Sequence, residues 1–300
     1  MNLPDAIVSA GWVSQYLRHP GVAVIDVRWS STGGSVVARR TFEEEGHIPG
    51  AGFLDLDRDL SGKRFVDGPG RHPLPDADAF ASTMADLGVD DEMGFVVYDD
   101  VQGSVAARLW WMLWITGHQV AVLDGGLQAW VGGGGMLERG PASERDTAIF
   151  RSVPWPRDRI VTADAVTLTL NAGVAPVLDV RAAERYRGEI EPFDPVAGHI
   201  PGAVSAPWTD TVDPKTGRFL TKDRLRAYFE SKGVTGDATI CQCGSGVTAC
   251  HGLLALRLAG YGDARLYEGS WSDWTRDPSR PVATGPEPGD PPPLGDLQLP

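Results

Sequence analysis

The sequence predicts an α/β fold built from two tandem domains, each a mainly parallel central sheet flanked by helices. The first observation is an internal repeat. Val24-Ile25-Asp26-Val27-Arg28 returns as Val177-Leu178-Asp179-Val180-Arg181, and Gly46-His47-Ile48-Pro49-Gly50-Ala51 returns letter for letter as Gly198-His199-Ile200-Pro201-Gly202-Ala203. Leu123-Asp124-Gly125-Gly126-Leu127 with Trp130 matches Tyr267-Glu268-Gly269-Ser270-Trp271 with Trp274. The second observation is that each half alternates short β-branched runs with helix-like segments, the pattern of a parallel sheet. The third is length, since 300 residues exceed the usual size of one domain.

In chain order, residues 1–140 read as the first domain. A polar linker follows at 141–158, interrupted by Pro154 and Pro156. Residues 159–276 read as the second domain. From 277 to 300 the chain is dominated by Pro, Gly and Asp, which predicts a tail draped on the surface or disordered.

The net charge of −13 argues against nucleic acid or an anionic membrane surface as partner. It leaves room for a small anionic substrate held by a local arginine cluster. No apolar run approaches a membrane span, and Met1-Asn2-Leu3-Pro4-Asp5 lacks the flank and core of a signal peptide. All 3 cysteines fall between positions 241 and 250, which is no disulfide framework and implies a reducing, cytoplasmic setting.

Chemistry concentrates in Ile240-Cys241-Gln242-Cys243-Gly244-Ser245-Gly246-Val247-Thr248-Ala249-Cys250. An apolar strand over 238–241 leads into a glycine-containing loop, and a helix over 247–258 is stopped by Gly260. Such a loop turns backbone N–H groups inward as an anion nest, and the helix N-terminus adds positive potential. Cys243, first residue of that nest, is therefore the candidate nucleophile, with a lowered pKa expected. The competing reading is a packed thiol, since cysteine is among the most buried residue types. That reading suits Cys241, two residues earlier in the strand. Cys241, Cys243, Cys250 and His251 do not space like a metal site, because glycine-rich backbone separates them and no further ligand cluster is evident.

In the first copy Asp99 falls opposite Cys243, 144 positions away, the same offset as Asp124 to Glu268. That copy keeps strand, loop and a helix over 104–116 but has no thiol, so it reads as catalytically inactive. Trp110, Trp111 and Trp114 on that helix read as packing residues. The offset is 152 at His47 and His199, so the first half holds eight extra residues before Asp99. The turn-rich stretch 61–73 is the expected place, and it has the length to reach the second domain's site.

Cys243-Gly244-Ser245-Gly246-Val247-Thr248 resembles the active-site loop of the two-domain 3-mercaptopyruvate sulfurtransferases of the rhodanese superfamily. The two His-Ile-Pro-Gly-Ala segments and Glu268-Gly269-Ser270-Trp271 resemble that superfamily's flanking signatures, and the resemblance covers about residues 7 to 276. It implies two tandem rhodanese-like domains and sulfur transfer through a Cys243 persulfide, with no cofactor. A small-molecule sulfur donor and an acceptor, either a thiol such as that of a thioredoxin-like protein or cyanide, are the implied partners. Gly244, Gly246, Val247 and Thr248 would line the substrate. The thiosulfate-using branch typically places basic residues after the cysteine. The neutral loop here suits a monocarboxylate whose enolate leaving group needs a proton donor, a role the resemblance gives to Ser245 backed by His72 and Asp57. Asp55 and Asp59 are the other acids in that segment. Singly, Ser245 reads as a loop cap, His72 as a surface turn residue and Asp57 as a turn former.

Arg185 falls on the family's principal substrate arginine, with a surface pair to Glu184 or Glu189 as its bland alternative. The family's second arginine, some nine residues on, is missing from Glu191-Pro192-Phe193-Asp194-Pro195, which leaves Arg187 as a substitute. Thiosulfate:cyanide transfer is the nearer rival, and a non-enzymatic rhodanese-like binding module the farther one. Cysteine-dependent phosphoryl transfer needs an arginine six residues after the nucleophile, where Ala249 stands.

Overall fold

The computed structural model describes residues 3–64, 68–143, 145–236 and 238–294. Residues 1–2, 65–67, 144, 237 and 295–300, among them parts of the stretch 61–73, the linker and the tail, lie outside the described residues. The chain divides into two compact units. One comprises Met1–Gly62, Leu74–Pro156 and Asp213–Phe219; the other comprises Lys63–Pro73, Arg157–Val212 and Leu220–Pro300. Each unit thus includes a short segment from the opposite half of the sequence. Within the first unit, Phe219 N donates to Asp124 Oδ1 at 2.9 Å. Within the second, Arg71 N donates to Ser272 Oγ at 3.1 Å.

The first unit holds β1 (Ile7–Val8), β2 (Val22–Asp26), β3 (Gly52–Phe53), β4 (Gly94–Tyr98) and β5 (Val120–Leu123), in the order β1-β5-β4-β2-β3. The second holds β6 (Ile160–Val161), β7 (Val177–Asp179), β8 (Val204–Ser205), β9 (Ile240–Gln242) and β10 (Arg265–Tyr267), in the order β6-β10-β9-β7-β8. The pairings are parallel in both sheets. Strands covered on both faces read as continuous apolar runs, as all-buried β4 shows. The repeat in sequence is a repeat in topology.

The repeated motifs explain themselves locally. Asp26 ends β2 and grips Arg28 in a fork, with Nη2–Oδ2 at 2.6 Å, and Arg28 Nη2 reaches Gly46 O at 3.1 Å. Asp179 and Arg181 repeat this at 2.6 Å, with Gly198 O at 2.7 Å. A buried ion pair therefore clamps each strand end to its Gly-His loop, which is why Asp-x-Arg and Gly-His-Ile-Pro-Gly recur together. His47 stacks on Phe42 and His199 on Tyr186, each with centroids 3.7 Å apart. Their Nδ1 atoms sit 3.0 and 2.8 Å from the carbonyls of Phe42 and Tyr186. Both histidines are structural.

The helix following β4 runs Ala106–Ile115 and the helix following β9 runs Ala249–Ala259. Each begins two residues later than the sequence predicts, because the preceding pair closes the loop. Gly260, at φ +99°, caps the second helix, a left-handed position that glycine takes without steric cost. Trp110 and Trp111 are fully buried, and Trp110 stacks on Trp114 at 5.3 Å. The linker is anchored by buried Phe150, which packs against Phe80, Phe95 and His118. As far as Leu294 the tail is held by backbone: Gly285 N to Arg187 O at 2.9 Å, Gly202 N to Pro288 O at 2.6 Å, and Asn171 Nδ2 to Pro292 O at 2.7 Å. Through that stretch it is draped and ordered.

Candidate active site

Cys243 follows β9 directly and is buried. Its N–H donates to Ser270 Oγ at 3.0 Å, and its carbonyl accepts from Trp271 N at 3.0 Å. Ser270 is one of two described non-glycine residues with positive φ (53°), and its hydroxyl also donates to Tyr267 O at 2.8 Å. Its counterpart in the first unit is Gly126, at φ +60°. A serine in a position that suits glycine carries strain, here offset by fixing the backbone of the nucleophile. Sequence reasoning missed Ser270; the substitution of serine for the glycine of the first copy was the available signal.

The first unit shows what the loop binds. Asp99, fully buried, receives N–H bonds at Oδ1 from Val101 and Gly103 (2.9 and 2.7 Å), and at Oδ2 from Val105 and Ala106 (both 2.8 Å). Burial pushes its carboxyl pKa up, and these four donors pull against that shift. The 144-residue register maps the first three donors onto Ser245, Val247 and Ala249. The loops also share their backbone turn, since Gln102 has φ 63° and Gly246 φ 80°. One unit thus fills its anion nest with its own carboxylate, and the other carries Cys243 at the equivalent position in the register. Cys250 N instead donates to Val247 O at 3.1 Å.

Gly246 carries a second constraint, since a Cβ there would lie 2.3 Å from Glu268 O. Val247 is buried and Thr248 half-buried at the turn into the helix. Ser245 is buried, and its Oγ lies 2.7 Å from His72 Nδ1. The segment 63–73, whose extra length the repeat offset locates, therefore brings His72 to the loop. Asp57 belongs to the first unit, where its Oδ2 accepts from Trp29 Nε1 at 3.0 Å and Ser35 Oγ at 2.8 Å. Asp55 is spent on the hydroxyl of Ser35 and on the N–H groups of Asp57 and Arg58, and Asp59 on Asp55 N and Arg58.

Arg185 does not form the alternative surface pair with Glu184 or Glu189. It binds Glu191, with Nη2–Oε1 at 2.7 Å and Nε–Oε2 at 3.2 Å, and lies over the Phe193 ring at 5.1 Å. Glu191 also meets Arg181 at 3.3 Å. Arg187 is the correction. Its guanidinium is taken by Glu189, at 2.6 and 2.9 Å, with Glu184 at 3.9 Å, because a two-residue spacing within one turn brings those groups together at the surface. It does not replace the missing arginine.

Arg71 was not foreseen. It pairs with Asp194, lies over Phe193 at 5.7 Å and is 11% exposed. A Cβ on Gly244 would lie 3.1 Å from Arg71 Nη2 and 3.2 and 3.3 Å from Arg185 Nη2 and Nη1. Two guanidiniums therefore converge on the residue after Cys243. The available signals were the acid at position 194 and an arginine adjoining His72.

Burial pushes the Cys241 thiol well above its ordinary pKa. Cys250 Sγ donates to Gly246 O at 3.3 Å, so both remaining cysteines serve packing and loop geometry. Among the described residues no group of His, Cys, Asp and Glu is arranged to hold a metal, and no helix is long and apolar enough to cross a membrane.

A family model described as a rhodanese-like domain matches residues 9–132 and again 162–277. Over 285 residues the chain is 44% identical to a Pseudomonas aeruginosa protein named as a probable 3-mercaptopyruvate sulfurtransferase, covering 93% of this chain and 98% of that one. It is 39% identical over 269 residues to Mycobacterium tuberculosis SseB, named provisionally as a thiosulfate sulfurtransferase, covering 88% and 91%. The crystal structure of SseA from Escherichia coli, described as a 3-mercaptopyruvate sulfurtransferase with the rhodanese fold, matches at a TM-score of 0.77 and 36% identity, covering 89% of this chain and 99% of that one.

Proposed function

Because the chain belongs to the rhodanese family of sulfurtransferases, we propose that it moves sulfane sulfur from 3-mercaptopyruvate to a thiol or cyanide acceptor through a persulfide on Cys243. The observation that carries the choice of donor is the 2.7 Å contact between Ser245 Oγ and His72 Nδ1, one residue pair away from the buried nucleophile.

The Cys243 thiolate attacks the donor sulfur. A bond forms between Sγ and that sulfur, and the sulfur–C3 bond breaks with its electron pair passing into the enolate of pyruvate. The donor's thiol proton is lost as the persulfide becomes an anion, and the pyruvate methyl gains one, so no external redox partner is required. Ser245 Oγ supplies the proton to carbon and is resupplied by His72. The persulfide anion then occupies the N–H nest that Asp99 fills in the other copy. In the second step an acceptor thiolate attacks the outer sulfur and Cys243 leaves as thiolate, one transfer having been divided into two. Thiosulfate is the second donor considered, on the similarity to SseB. Its leaving group, sulfite, needs no proton at carbon.

The test compares both donors in wild type, Cys243→Ser and Ser245→Ala. Cys243→Ser should abolish transfer from either. Ser245→Ala should cut kcat for 3-mercaptopyruvate by about 10²-fold or more, the usual scale of a general acid, and leave thiosulfate turnover nearly unchanged. Equal loss on both donors would remove the proton-donor role. A kcat/KM higher for thiosulfate than for 3-mercaptopyruvate in wild type would overturn the donor assignment.

A further inference from the structure

The cluster beside Gly244 contains more than one substrate arginine needs. Six charged side chains form a continuous ladder in the second unit: Asp179, Arg181, Glu191, Arg185, Asp194 and Arg71. All are at most 13% exposed. Burying guanidiniums and carboxylates together is costly and no better for stability than apolar packing, so the arrangement calls for a role beyond holding the fold. Its order supplies one. Glu191 holds Arg185 from behind, Asp194 engages Arg71 through Nη1, and the Phe193 ring lies beneath both guanidiniums. Beside Gly244 lie Arg71 Nη2 and Arg185 Nη1, together with Arg185 Nη2, which Glu191 also holds at 2.7 and 2.9 Å.

We infer that Arg71 and Arg185 form a two-guanidinium clamp for the carboxylate and keto oxygens of a 2-oxo-acid donor, with Asp194 positioning Arg71. Arg71 supplies the second guanidinium that the segment 191–195 lacks. Planar forks match a planar 2-oxo carboxylate in a way that a lysine point charge does not. The clamp also selects by charge. Three cations face three anions, so the empty cluster is neutral. A monocarboxylate leaves it with one uncompensated negative charge, and a dianion such as thiosulfate leaves two. In a low-dielectric site that difference disfavours the dianion. Asp194 is thus both the holder of Arg71 and a filter against compact dianions.

This inference rests on the sulfurtransferase reading, and the experiment separates the two. Wild type, Arg71→Gln, Arg71→Lys and Asp194→Asn are assayed with 3-mercaptopyruvate and with thiosulfate, alongside thermal melts. Arg71→Gln and Arg71→Lys should each raise KM for 3-mercaptopyruvate by about 10-fold or more, the range for losing a charge-assisted contact, with kcat changed less than threefold. Arg71→Lys keeps the charge, so a melt near wild type alongside its KM rise excludes simple misfolding. Asp194→Asn should shift the kcat/KM ratio toward thiosulfate by about 5-fold or more. Pyruvate, as a competitive monoanion, should lose affinity in parallel in both Arg71 variants. If wild type does not use 3-mercaptopyruvate, the underlying reading fails and the clamp with it. If wild type does and KM in both Arg71 variants stays within twofold, the clamp alone is wrong. An unmoved donor ratio in Asp194→Asn overturns the charge filter.

Discussion

Gly244 and Gly246 are separated by one residue, yet the structure predicts opposite consequences for replacing them with alanine. At Gly246 a Cβ would sit 2.3 Å from Glu268 O, and φ is +80°. An L-residue in that region costs about 1–2 kcal/mol. The carbonyl must retreat by about 1 Å before ordinary contact begins at 3.4 Å, and Glu268 O is backbone in the turn beside β10, so it cannot swing aside. Forced overpacking of this kind costs about 1–3 kcal/mol more. The sum, roughly 2–5 kcal/mol, corresponds to a fall in melting temperature of about 4–20 °C at roughly 2–4 °C per kcal/mol. At Gly244 the backbone is ordinary, and the nearest atoms, at 3.1–3.3 Å, are the ends of two arginine side chains. Those ends can give by a few tenths of an ångström. Gly244→Ala should therefore melt within about 1 kcal/mol of wild type, the scale of a glycine-to-alanine change at a compatible backbone. The displaced guanidiniums should nonetheless raise donor KM. Differential scanning fluorimetry and donor-saturation kinetics on the two variants decide the matter. A Gly246→Ala protein that melts like wild type would refute the steric argument. A Gly244→Ala protein with reduced stability and an unchanged KM would refute the placement of the two arginines.

Three further outcomes follow from other parts of the molecule. Iodoacetamide at pH 8 should label Cys243 while leaving Cys241 untouched until the chain is unfolded, because a thiol with a raised pKa stays protonated there; peptide mass spectrometry of native and urea-treated samples reads this directly. Early labelling of Cys241 would contradict its burial. Arg181→Met strands Asp179, while Glu191 keeps Arg185, and should cost about 3–5 kcal/mol in urea unfolding, whereas Arg187→Met, an exposed pair, should be indistinguishable from wild type. Asp99→Ala leaves four N–H groups without their acceptor and should destabilise the first unit by about 1–3 kcal/mol while sulfur transfer by Cys243 continues. Loss of transfer in that variant at a temperature where it remains folded would show that Asp99 does more than fill its loop.

The relation between sequence and site is clearest along the segment 181–194. Arg185 was legible as a candidate substrate arginine, but its partner was not. Glu184 and Glu189 are closer in sequence, yet Glu191 turns inward to meet both Arg181 and Arg185. Arg187 had the same local credentials and points to the surface. Residue type and spacing do not distinguish these cases, because a four-residue helix and the irregular turn after it set the direction of each side chain. Ser270 shows an intermediate case. The repeat exposed its departure from Gly126, but only the fold brings its hydroxyl to the N–H of Cys243.

By itself the sequence determined the two-copy α/β architecture, the glycine-containing loop with its candidate nucleophile, the thiol-free first copy and the extra length between His47 and Asp99. Those features are local: they depend on backbone torsions, on hydrophobic period and on a repeat that compares one half of the chain with the other. Tertiary structure alone decided which long-range charges meet. Arg71 and Asp194 lie 123 residues apart, and nothing in either neighbourhood specifies the other. The fold brings them into one unit, at an entropic cost of loop closure that grows only slowly with loop length. Charge pairing in a buried cluster is settled by which side chains reach it, and reach is a property of the folded chain.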